Sequence, residues 1–166
     1  MLWIAIAIVI IALDQISKLL IIGNINLGQQ IPIINDFFYI THWKNTGAAW
    51  GMFQNGRFFF IPFTIALSIV LIRIHMKSDN RFLKLALTII LGGAMGNFID
   101  RVYRGSVVDF LQFFFGSYQF PIFNIADSFV VIGTVLMVCY ILFMQKENQK
   151  IESQKNEIEK KEVGES

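Results

Sequence analysis

The sequence predicts an all-α membrane protein of four transmembrane helices, and three observations carry that prediction. The chain is 55% hydrophobic and only 16% charged, against about 25% charged in an average soluble domain. All of its glutamates lie between Glu147 and Glu165, which leaves the preceding body poorer still in charge. Four apolar segments each reach the roughly 20 residues that a bilayer crossing needs. The length allows one domain over residues 1–145, followed by a charged tail over residues 146–166.

The first span is expected near Leu2 to Ile22. No basic residue precedes its apolar run, and Asp14 and Lys18 stand where a cleavage site would be needed. The segment therefore reads as a retained helix and not as a signal peptide. The second is expected near Phe58 to Met76, with Pro62 in its first turns, where a missing N–H is tolerated. The third and fourth are expected near Phe82 to Val102 and Ile122 to Met144. Cys139, inside the last run, has no internal disulfide partner and reads as a small packing residue.

Lysine and arginine placement sets the orientation. Nine basic residues flank the short second connection or follow the fourth span (Arg73, Lys77, Arg81, Lys84, Lys146, Lys150, Lys155, Lys160 and Lys161). The other two connections hold four: Lys44, Arg57, Arg101 and Arg104. Both termini are therefore expected in the cytoplasm, and the long connections outside. The first connection, from Gly23 to Arg57, contains the run Phe37-Phe38-Tyr39-Ile40-Thr41-His42-Trp43, β-branched and aromatic as strands prefer. A small sheet at headgroup level is expected, with Trp43, Trp50 and Phe53 suited to the interface. The tail mixes Lys and Glu with almost nothing apolar, as a solvated helix or a disordered segment would.

Ionisable groups in a span cost roughly 2.5–3.5 kcal/mol on insertion scales, so each one demands a reason. With this orientation Asp14, Lys18, Asn97, Asp100, Arg101, Asn124 and Asp127 all fall near the outer face, with Asp109 in the connection between. Asp14 and Lys18, four apart on one helix face, could simply neutralise each other. Asp100 and Arg101 could form an interfacial pair. Gly92, Gly93 and Gly96 include the small-xxx-small spacing that lets membrane helices approach closely, and Asn97 is expected to point into the bundle. Asp127 and Asp109 lie in semi-apolar stretches without an obvious cation. Two such carboxylates can share a proton, one acting as base on water and the other as acid.

Other chemistries find less support. His42 and His75 fall on opposite faces, and no His/Cys/carboxylate cluster has zinc spacing. No phosphate-binding glycine loop appears, and no cofactor is called for. Ser17 and Ser128 offer only weak pairings with Lys18. The net charge of +2, without basic runs among stacking aromatics, argues against nucleic acid. A proton-coupled transporter would need polar groups along the inner halves of its spans, but Leu2 to Ala12 and Phe129 to Met144 carry no charge. A non-catalytic membrane scaffold is the third reading.

Taken together, the polar positions resemble the bacterial lipoprotein signal peptidases (signal peptidase II). The matching pieces are Asp14 with Lys18, Asn45-Thr46-Gly47-Ala48-Ala49-Trp50, GGAMGNFIDR from Gly92 to Arg101, VVDF from Val107 to Phe110, and FNIAD from Phe123 to Asp127. Trp50 stands where the family often has Phe, an exchange of one large aromatic for another. The resemblance implies four transmembrane helices with a small extracytoplasmic β-cradle and a short lid helix. It implies an aspartic endopeptidase of the bacterial cell membrane that cuts lipidated prolipoproteins before a diacylglyceryl-modified cysteine, among membrane lipids, and that globomycin-type inhibitors block. Asp109 and Asp127 would be the catalytic pair. Asn45, Gly47, Asn97, Arg101 and Asn124 would bind or brace substrate, and Asp14, Lys18 and Asp100 would support the site, with no metal.

Overall fold

The computed structural model describes residues 1–47 and 56–164, with side chains through Met144 except that of Arg57. Trp50 and Phe53 lie outside the described residues. The helices are α1 (Leu2–Asn24), α2 (Arg57–Lys77), α3 (Arg81–Tyr103) and α4 (Ile125–Gly164), and the strands are β1 (Gln30–Ile34), β2 (Phe38–Asn45), β3 (Val107–Phe115) and β4 (Tyr118–Gln119). All four helices contain a stretch long and apolar enough to cross a membrane, which makes the chain a multi-pass membrane protein. The fourth continues without a break into the charged tail. Among the described residues no separate short helix stands where a lid would be expected.

α3 is the central helix, with α1, α2 and α4 packed around it. Its start is capped by Asn80, whose Oδ1 accepts from the backbone N–H groups of Phe82 (2.9 Å) and Leu83 (3.1 Å). Its glycine face explains the close packing. A Cβ on Gly93 would lie 2.5 Å from the Ala126 carbonyl oxygen, so only a hydrogen fits where α4 crosses. Leu71, Leu87 and Ile90 form the buried cluster between α2 and α3. Pro62 lies within α2, which runs through it.

The strands form one antiparallel sheet in the order β1-β2-β3-β4. The expected sheet in the first connection is present, but its central partner, β3, comes from the stretch that the sequence left as a connection. β-Strand side chains alternate between faces. Val108 and Phe110 pack with Ile21 and Ile25 at the end of α1, which leaves Asp109 facing the other way. His42 ties β2 to the same helix end, its Nδ1 donating to the Ile25 carbonyl at 2.9 Å. Asp36 is the turn residue between β1 and β2, exposed and left-handed at φ 58°. Trp43 is half exposed, as an interfacial aromatic would be. Cys139 corrects the packing expectation: its side chain is exposed on the outside of the bundle.

Candidate active site

Asp109 and Asp127 reach the site by different local devices. Gly105, at φ 75°, reverses the chain after α3 and sends it back as β3. Asp109 then pairs in register with Trp43 of β2. The Phe123 carbonyl accepts from the N–H groups of Phe110 (3.0 Å) and Leu111 (2.8 Å), which holds β3 against the start of α4. There Asn124 and Asp127 form a reciprocal capping box. Asn124 Oδ1 accepts from Asp127 N–H at 3.0 Å, and Asp127 Oδ2 accepts from Asn124 N–H at 3.2 Å.

Three asparagines connect the carboxylates, and their amide orientations follow from their neighbours. Asn97 Oδ1 receives the Lys18 ammonium at 2.9 Å. An ammonium can only donate, so the Asn97 NH2 must point the other way, to Asp127 Oδ1 at 2.7 Å. The Asp127 N–H likewise occupies Asn124 Oδ1, and Asn124 Nδ2 donates to Asp109 Oδ1 at 2.6 Å and to Asn97 Oδ1 at 3.1 Å. Asn45 Oδ1 takes the Gly47 N–H (2.9 Å), and its Nδ2 donates to Asp109 Oδ2 at 2.8 Å. Every amide thus offers donors to the two carboxylates.

Asp109 is 1% exposed. Burial, and then the neighbouring charge of Asp127, push its carboxyl up from 3.8 to about 7, against the opposing hydrogen bonds from Asn45 and Asn124 and the charge of Lys18. Asp109 is thereby disposed to carry a proton near neutral pH.

Behind the carboxylates, Lys18 is fully buried between Asp14 Oδ2 (2.8 Å) and Asp100 Oδ2 (3.0 Å). With Asn97 Oδ1 as the third acceptor, all three ammonium protons are used. Asp14 Oδ1 accepts from the Ala126 N–H of α4 at 2.9 Å. Asp14 and Lys18 are therefore part of a larger cluster and not a self-contained pair. Asp100 does not pair with Arg101 either; its cations are Lys18 and Arg104. Adjacent helical residues diverge, while residues four apart share a face. Arg101 instead lies with its guanidinium 4.8 Å from the centre of the Phe60 ring. The serines are occupied locally, Ser17 Oγ donating to the Asp14 carbonyl and Ser128 Oγ to that of Asn124.

Two members escaped the sequence reading. Gln15 Nε2 donates to Asp14 Oδ2 (3.1 Å), the Gly96 carbonyl (3.1 Å) and Asp100 Oδ1 (3.2 Å), and its Oε1 accepts from Arg104 at 3.0 Å. Arg104 had a usable signal, since it follows Asp100 by four residues as Lys18 follows Asp14. Gln15 had none. Among the described residues no three His, Cys, Asp or Glu side chains gather as metal ligands.

A bundle of membrane-spanning helices with a small antiparallel sheet and buried, amide-held carboxylates describes a membrane-embedded protease. Residues 6–143 match the family described as signal peptidase (SPase) II, and the chain belongs to that family. It is 47% identical over 148 residues to the lipoprotein signal peptidase of Bacillus pumilus (strain SAFR-032), covering 87% of this chain and 95% of that protein. It also resembles two solved bacterial membrane enzyme structures obtained by the in meso method. For the one at 2.3 Å resolution the TM-score is 0.81 at 38% identity, covering 87% of this chain and 90% of that one. For the one at 1.9 Å the TM-score is 0.77 at 39% identity, covering 84% and 92%. The chain is thus an aspartic-type membrane protease acting on lipoproteins, and the transporter and scaffold readings are set aside.

Proposed function

We propose that Asp109 and Asp127 are the catalytic pair, and that they cleave prolipoproteins immediately before the diacylglyceryl-modified cysteine. The observation that carries this reading is the chain of amides Asn45, Asn124 and Asn97, all of whose NH2 groups aim at these two carboxylates. The pair shares one proton. Its ionised member removes a proton from water, whose oxygen attacks the scissile carbonyl; its protonated member gives a proton to the departing amine nitrogen. The amides hold the carboxylates in place through both transfers, and Arg101, held over Phe60 and beside the Asn97 carbonyl instead of by Asp100, has further N–H donors to offer a substrate carbonyl. Gly47 contributes by fixing the Asn45 amide. Both termini face the cytoplasm and the site lies near the outer leaflet, where the cut peptide can leave into water. Peptides that mimic the bound signal segment, of the globomycin type, would occupy the same place, with the substrate's acyl chains lying among membrane lipids.

The test is cleavage of a diacylglyceryl-modified precursor by purified Asp109→Asn and Asp127→Asn variants whose melting temperatures match the parent. Each is expected to lose at least about a thousandfold in kcat, and the parent to leave an unlipidated precursor uncut. Near-parental turnover by either variant removes that aspartate from the mechanism.

A further inference from the structure

We infer that Arg104 is a positioning residue for this reaction: it completes the charge balance of the Asp14–Lys18–Asp100 cluster and holds Asp100 where it anchors the strand bearing Asp109. The inference rests on the aspartate-pair reading, and nothing in the family assignment gives Arg104 a role.

The argument begins with counting charges. Asp14, Lys18 and Asp100 are all fully buried, and two carboxylates against one ammonium leave a net charge of −1. Lys18 has no donor to spare, since its three protons already serve Asp14, Asp100 and Asn97. Asp100 Oδ1 therefore depends on Gln15 and on the guanidinium of Arg104, which brings the sum to zero. Arg104 is the cluster's member nearest to water, its side chain 26% exposed, so it can stay fully charged while neutralising a group that cannot reach solvent. It also fixes Gln15. A guanidinium only donates, so by occupying Gln15 Oε1 it turns the Gln15 NH2 toward Asp14, Gly96 and Asp100.

The cluster reaches both carboxylates of the pair. Asp100 Oδ2 accepts from the backbone N–H of Val108 at 3.1 Å, one residue before Asp109. The same oxygen holds Lys18, whose remaining proton orients Asn97 toward Asp127. The charged groups around Asp100 are Asp14 and Lys18 on α1, Arg101 on α3 and Arg104 at its C-terminal cap, Asp109 on β3 and Asp127 on α4. Removing one positive charge from this set leaves an excess negative charge beside a pair that must itself carry one. The pair then holds its protons more tightly.

The experiment is a pH profile of kcat and KM, with a lipidated precursor, for Arg104→Gln and Arg104→Lys. Arg104→Gln is expected to lower kcat at least about tenfold, leave KM unchanged and move both limbs of the profile to higher pH. Arg104→Lys is expected to restore most of the rate and the parental limbs. A purely structural contact would lower the melting temperature without moving the limbs. The double variant Arg104→Gln/Asp100→Asn removes one charge of each sign and is expected to bring the limbs back. Should Arg104→Gln fail to fold, the double variant must recover folding; if it does not, the charge-balance role is wrong. A parental profile for Arg104→Gln, or a lysine no better than glutamine, overturns the inference. Asp109→Asn measured alongside separates the two failures. If it cleaves, the aspartate-pair reading falls; if it is inactive while Arg104→Gln is parental, only the role of Arg104 falls.

Discussion

Gly96 and Asp14 approach so closely that a Cβ on the glycine would lie 2.5 Å from Asp14 Oδ2 and 3.0 Å from Asp14 Cγ. The absent side chain at Gly96 is thus what lets α1 bring a buried carboxylate to the face of α3. Gly96→Ala would push Asp14 off its partners, and Ala126 Cβ, 3.2 Å from the added carbon, blocks retreat on the other side.

Gly96→Ala is therefore expected to cost about 1–3 kcal/mol in overpacking, read as a lower melting temperature in detergent. Gly23→Ala is the control, since a Cβ there meets nothing within 4 Å. If the two variants melt together at the parental temperature, the packing argument fails.

Activity should depend on pH through the aspartate pair. With its carboxyl pushed up to about 7, Asp109 is favoured in its protonated form by folding. Its contribution to stability is therefore complete below 3.8, declines as pH rises toward about 7 and is lost above it. The pair's last proton leaves over the same range, so kcat/KM is expected to fall as pH rises through about 7. Asn45 donates to the anionic form of Asp109, so Asn45→Ala should move that fall to higher pH. An unmoved limb would disconnect Asn45 from the titration. The difference in melting temperature between the parent and Asp109→Asn should vary with pH below about 7 and level off above it.

Lys18 is the interior cation on which three acceptors depend. Lys18→Met keeps its length but leaves Asp14 and Asp100 buried with one ammonium fewer, which costs about 3–5 kcal/mol. Lys18→Arg is not expected to rescue it, because a planar guanidinium cannot reproduce three donors converging from one nitrogen. Thermal unfolding with and without an inhibitor measures both; a parental melting temperature for Lys18→Met would show that the cluster tolerates an uncompensated charge.

Much of this protein could be read before any fold was seen. The four spans are visible because lipid demands about 20 apolar residues in a row, and the observed helices begin and end within a few residues of the expected spans, except that α4 continues past Met144 to Gly164. The polar residues near one end of the spans stood out because burying them costs so much. Cys139 shows where such reasoning stops. Lipid is as apolar as a packed core, so an apolar run does not reveal which of its faces meets protein and which meets the bilayer. β3 shows another limit: nothing within Val107 to Phe115 names its partner, and the stretch is settled as a strand by pairing with β2.

By itself the sequence determined that the chain crosses a membrane, that its carboxylates collect near one level, and, through motifs carried by individual residues, which family it belongs to. These follow from composition, length and spacing, which are properties of the chain read along its own axis. Only the tertiary structure decided which charge answers which: Lys18 and Arg104 for Asp100, where adjacency had offered Arg101. It alone settled the direction of each amide, because an asparagine's two ends differ only in what they donate and accept. For Asn97 that distinction is made by Lys18, 79 residues away in sequence, while the N–H groups of Gly47 and Asp127 fix Asn45 and Asn124 only once the chain has turned there.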